Sequence, residues 1–176
     1  MSVRSFEKSH PKLGDRVFVD PTALVVGDVE IGDDSSIWPM ATVRGDVHAI
    51  KIGARTSIQD GCVLHVTHAG PYDPEGHDLV IGDDVTIGHK AMLHGCQIES
   101  ECLIGMGSVV MDNVIIHSRV VLGANSLVPP GRELEGGFLW VGSPARKIRP
   151  LTEEELNFFK YSADNYVKLK NRYLAG

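Results

Sequence analysis

Aliphatic residues return every six positions along most of this chain, and that period constrains the fold more than any other feature. They stand at Val19, Val25, Ile31, Ile37 and Val43, then at Ile52, Ile58 and Leu64. They resume at Ile81, Ile87 and Leu93, then run through Ile98, Ile104, Val110, Ile116, Leu122 and Val128. Thirteen of the sixteen steps between these anchors are six residues long, and the others are 9, 17 and 5. A fixed internal period is the signature of repeat architectures. Ordinary strand alternation has a period of two, which divides six. Alternation alone would not restrict the fourth position after each anchor to small or branched residues such as Ala23, Ser35, Ala41, Cys62, Ala91 and Cys102. Nor would it place glycine directly after the anchor at Gly32, Gly53, Gly82, Gly88, Gly105 and Gly123.

The pattern resembles that of hexapeptide-repeat proteins. The resemblance implies an all-β solenoid, a left-handed parallel β-helix in which each hexapeptide is a short strand and a corner. Three hexapeptides make one triangular coil. Linked parallel strands normally cross over with the right hand, so the left hand rests on the resemblance. The seventeen anchors then make between five and six coils, with strands stacked ~4.8 Å apart. The long step from Leu64 to Ile81 holds "HAGPYDPEGHD", whose Gly, Pro and Asp content marks a loop extruded from a corner. The repeat is expected to end after Val128 at "VPPGRELEGG", with "FLWVGSPARKIRPL" leading away from the solenoid. From Thr152 the pattern becomes helical, opening on a capping box of Thr152 and Glu155. Residues 1–150 are therefore read as the β-helix domain, and 151–176 as a C-terminal α-helix packing on the solenoid or on a neighbour.

Composition narrows the function. A net charge of −6 argues against nucleic-acid binding. No run approaches the ~18–20 apolar residues of a membrane span. The start, MSVRSFEKSHPK, has no apolar signal region, which predicts a cytoplasmic protein. Cys62, Cys96 and Cys102 form no C-x-x-C pair and make a poor disulfide framework.

Chemistry concentrates in the histidines. In "IGHKAMLHG", His89 and His94 lie five positions apart, a spacing that neither a helix nor a strand places on one face. The repeat resolves it. His65 follows anchor Leu64 and His94 follows anchor Leu93. If the looped step counts as one change of face, both occupy the same face, one rung apart. Imidazoles stacked ~4.8 Å apart can share one ion with metal–nitrogen bonds near ~2 Å. His89 falls toward the corner between the third and first faces, where it could serve the site of an adjacent molecule in a three-fold assembly. His10, His48, His77 and His117 have no such company and are read as solvated.

The stretches "VRGDVHAIKIGARTSIQDGCVLHVTHAG" and "IGHKAMLHGCQIESECLIGMGSVVMD" resemble the γ-class carbonic anhydrases. That resemblance implies a homotrimer holding zinc, with iron or cobalt as alternatives, at each interface. His65 and His94 would come from one chain and His89 from the next. Arg44 and Asp46 match the family's interface salt-bridge pair, Asp60 its structural acidic partner, and Gln59 the glutamine that contacts metal-bound water. Arg44, Asp46 and Asp60 are thus expected to hold the trimer rather than do chemistry. Where one branch of the family carries glutamates, this chain has Val47 and His68, and it lacks that branch's acidic loop. His68 becomes the candidate proton shuttle, since an imidazole titrates near neutrality. The small-molecule substrate would be carbon dioxide or bicarbonate. Two other readings stay open. One is an acyl-CoA thioesterase or hexapeptide acyltransferase, whose closing segment "VGSPARKI" resembles; the other is a non-catalytic metal-bound scaffold.

Overall fold

Parallel ladders join each anchor to the anchor one coil on: Leu64 with Leu93, Ile81 with Ile98, and Ile58 with Ile87. The computed structural model, which describes residues 2–176, is a left-handed parallel β-helix with one C-terminal helix. Its first face carries Val25, Val43, Leu64, Leu93, Val110 and Val128. Ile31, Ile52, Ile81, Ile98 and Ile116 form the second. The third carries Val19, Ile37, Ile58, Ile87, Ile104 and Leu122. The anchors point inward and, apart from the partly buried Val19, are almost wholly buried, each buried side chain contributing about 1.5–3 kcal/mol by leaving water.

The corners explain the rest of the six-residue unit. Three places after the anchor the backbone turns left-handed, at Asp34, Met40, Arg55, Asp84, Lys90, Glu101 and Asn125, and at Gly61 and Gly107. The small residue that follows sits in the bend. Directly after the anchor, stacked coils come too close for a side chain: a Cβ on Gly32 would lie 2.7 Å from Ala54 N. The nine-residue step is an eleven-residue strand, Thr42–Ile52, that runs through its corner without turning sharply.

The solenoid is longer than the aliphatic repeat suggests. Val3–Arg4 and Lys12–Leu13 add a rung before it, pairing with Leu24–Ile31. The repeat also does not end at Val128. Leu134 pairs with Ile116 and Trp140 with Leu122, both buried and each six residues beyond the last. The chain then folds back antiparallel through Ala145–Pro150. Pro129, which looked like a terminator, follows the last first-face strand, Leu127–Val128. No further rung there needs its missing N–H.

The helix α1, Glu153–Leu174, is a single element with the expected capping box. It covers the third face. Phe159 and Ala163 are buried there, Thr86 and Ser162 share a hydroxyl hydrogen bond of 2.8 Å, and Trp38 packs against Tyr166 and Tyr173. The Lys170 ammonium, fully buried, donates to Asp34 at 2.7 Å. Among the described residues, no helix is long and apolar enough to cross a membrane.

Candidate metal centre

Since Leu64 and Leu93 point inward, the next residue on each rung turns out. His65 and His94 are therefore register partners on the first face. Their ring centroids lie 5.1 Å apart, with His65 Nδ1 facing His94 Nε2 at 3.1 Å. The remaining ring nitrogens are both committed. His65 Nε2 lies 2.9 Å from Asp46 Oδ1, and His94 Nδ1 lies 2.8 Å from Asp112 Oδ1.

These carboxylates are ionised. Burial pushes Asp46 up, but hydrogen bonds from His65 and Arg44 outweigh it and hold the group below its ordinary range. Asp112 behaves likewise, with Thr67 and His94 outweighing burial. An ionised carboxylate only accepts hydrogen bonds, and a neutral imidazole has one N–H to give. With both rings neutral and each N–H given to its carboxylate, the two facing nitrogens would be lone pairs at 3.1 Å, an arrangement that a cation between them would satisfy. Two nitrogens bound tetrahedrally to one zinc at 2.0–2.1 Å would stand roughly 3.3 Å apart. The pair fits a metal.

His89 does not join them within one chain. It leaves the third face after Ile87, where its Nδ1 lies 3.0 Å from Asp60 Oδ2, while Nε2 has no protein partner among the described residues. Among the described residues, no three metal-ligating side chains gather at one point. His89 thus stands at a different corner from the His65–His94 pair of its own chain.

The repeat is shared with known proteins. The model for bacterial transferase hexapeptides (six repeats) matches residues 10–45 and 95–130, and that for the hexapeptide repeat of succinyl-transferase matches 78–111. Protein YrdA of Escherichia coli is 52% identical over 98% of this chain and 94% of its own. Mitochondrial gamma carbonic anhydrase 1 of Arabidopsis thaliana is 42% identical over 97% of this chain, which spans 61% of that protein. A Bacillus cereus structure classed provisionally as an acetyltransferase superposes with a TM-score of 0.90 at 36% identity, over 97% of this chain and 95% of its own. The chain belongs to the γ-carbonic-anhydrase-like family of hexapeptide-repeat proteins.

Within this γ-carbonic-anhydrase-like chain the other predicted residues divide between the two corners. Arg44 donates to Asp46 in its own chain, so Asp46 bridges Arg44 and His65. Asp60 holds His89. Gln59 is buried beneath α1 and lines a groove with His89, Met106, Phe158 and Tyr166. It therefore belongs with His89 and not with the His65–His94 pair of its own chain. His68 is exposed at the root of the extruded loop and makes no hydrogen bond to either ring.

Three histidines expected to be merely solvated have acidic partners: His48 with Asp78, His77 with Asp73, and His117 with Glu99 and Glu133. Asp112 and Thr67 are the site residues that sequence reasoning missed. The signal for Asp112 was present, because Val110 is the next first-face anchor after Leu93, which sets "VMD" directly above His94. Gly95 makes this proximity tolerable: a Cβ there would lie 2.7 Å from Asp112 Oδ1 and 2.9 Å from the His77 Cβ.

Proposed function

We propose that the protein is a cytoplasmic, metal-dependent homotrimer that hydrates carbon dioxide reversibly, with His65 and His94 joined at each interface by His89 of the partner subunit. One observation carries this reading: His65 Nδ1 and His94 Nε2 face each other at 3.1 Å while the other nitrogen of each ring lies against a carboxylate. The outer surface supports the trimer. The first face presents Leu24, Thr42, Val63, Met92, Val109 and Leu127 outward, and none of them is buried by the chain itself. The corresponding row on the second face includes Glu30, Lys51, Gln97 and Glu133. An apolar row beside two metal ligands suits an interface between copies.

Zinc, or iron or cobalt in its place, would supply Lewis acidity there and make hydroxide available near neutral pH for attack on carbon dioxide. The chain's own groups do the rest. Asp46 and Asp112 orient the imidazoles, and the Arg44 guanidinium offsets the charge on Asp46. Gln59 offers an amide beside His89. His68, exposed at the loop root, is the group placed to carry the released proton to buffer.

A second reading, cleavage of an acyl thioester, draws on the groove that Met106, Leu103 and Phe158 make apolar beside His89. One set of assays separates the two: carbon dioxide hydration and thioester cleavage on protein of measured metal content, for wild type and His94→Ala. The proposal expects hydration that falls with metal in His94→Ala, since two imidazoles seldom retain a catalytic zinc. Metal-replete protein that cleaves thioesters but does not hydrate carbon dioxide would replace it with the second reading.

A further inference from the structure

We infer that Asp112 is a positioning residue that fixes which nitrogen of His94 is offered to the metal, and that Thr67 holds Asp112 in place for that task. This rests on the metal-centre reading above.

A free neutral imidazole carries its proton on either nitrogen, and only an unprotonated nitrogen can bind a metal. His94 Nδ1 lies 2.8 Å from Asp112 Oδ1 and 3.2 Å from Thr67 Oγ1. Thr67 Oγ1 in turn donates to the same carboxylate oxygen. Once the threonine proton is engaged with Asp112, the hydroxyl can only accept from His94. Both groups near Nδ1 are then acceptors, so the proton of His94 belongs on Nδ1. Nε2 is left bare, and Nε2 is the atom aimed at His65.

The fold places these groups together by two irregularities in the repeat. The five-residue step after Leu93 brings Gly95 under Asp112, and the extruded loop starts at Thr67, which pairs with His77 at its other root. Thr67 thus ties the root of the loop to the orientation of a ligand from the neighbouring rung.

The test begins with metal-free wild type, where long-range nitrogen NMR of the imidazoles reads the tautomer directly. His94 should be protonated on Nδ1. Zinc affinity is then measured by chelator competition for Asp112→Ala, Asp112→Asn and Thr67→Val, each qualified by circular dichroism and light scattering. Asp112→Ala should bind zinc about 10- to 100-fold more weakly and show proton density moving to Nε2. Asp112→Asn, which keeps an acceptor oxygen, should recover part of that loss, and Thr67→Val should show a smaller one. Wild-type His94 protonated on Nε2, or an Asp112→Ala affinity within twofold of wild type, would overturn the assignment. Zinc retained by His94→Ala would instead remove the metal-centre reading and this inference with it.

Discussion

The first and third faces of the solenoid are built from the same repeat, yet the chain treats them differently. Inside they are equivalent: Leu64 and Leu93 on one, and Ile58 and Ile87 on the other, are all fully buried. The residues just before these anchors differ. Ser57 and Thr86 on the third face are buried beneath α1, whereas Val63 and Met92 on the first remain exposed. The third face is thus covered by its own chain, and the first is not. The inner residues set the coil, while the outer ones decide what each face is for.

The largest effect should come from placing charge on the uncovered face. Val63→Glu with Met92→Lys should abolish the trimer and stoichiometric metal binding, while circular dichroism retains the β-helix. A monomer that still binds metal one-to-one would break the comparison. The covered face should respond in the opposite way. Lys170→Met removes a buried ammonium from Asp34, and losing this charged hydrogen bond should cost about 1.5–3 kcal/mol, read by denaturant unfolding, with the trimer intact.

The same contact has a pH signature. Asp34 is pulled down to about 2, chiefly by its hydrogen bond to Arg16 and also by that to Lys170. A carboxyl depressed in the folded state stabilises above its ordinary value of 3.8 and loses that contribution as pH falls toward about 2. Lys170→Met should therefore flatten the acid limb of the stability curve. A curve parallel to wild type would deny Lys170 that share.

The smallest effect belongs to the second face. The His117 pKa is raised, first by its hydrogen bond to Glu133 and then by that to Glu99. Its contribution to stability is complete below 6.5 and lost as pH rises through the elevated value. His117→Gln should remove a shallow decline in melting temperature above neutrality without touching metal content.

Much of this was legible in the sequence. The six-residue period, with the looped step counted as one change of face, assigned Leu64 and Leu93 to one face, and with them His65 and His94, because a period of this kind fixes register as well as element type. What escaped did so for physical reasons. Trp140 keeps the period but is aromatic, and a ring of that size fits an end coil where no later rung crowds it. Leu13 also lies six residues before Val19, yet half of it is exposed on the other end coil, so it reads as surface. Asp112 stands far from His94 along the chain. Its relation to His94 exists only between rungs, through the step of five after Leu93.

The central claim is that a complete metal centre takes histidines from two chains. Mixing His89→Ala with His94→Ala, after unfolding and refolding together, tests it directly. Each variant alone lacks a ligand at every interface and should bind almost no zinc. In randomly mixed trimers, about a quarter of interfaces would combine an intact His65–His94 pair with an intact His89, and zinc content and hydration should return to about that fraction of wild type. If the mixture binds no more zinc than its separate components, or if His89→Ala alone retains full metal, the shared site does not exist.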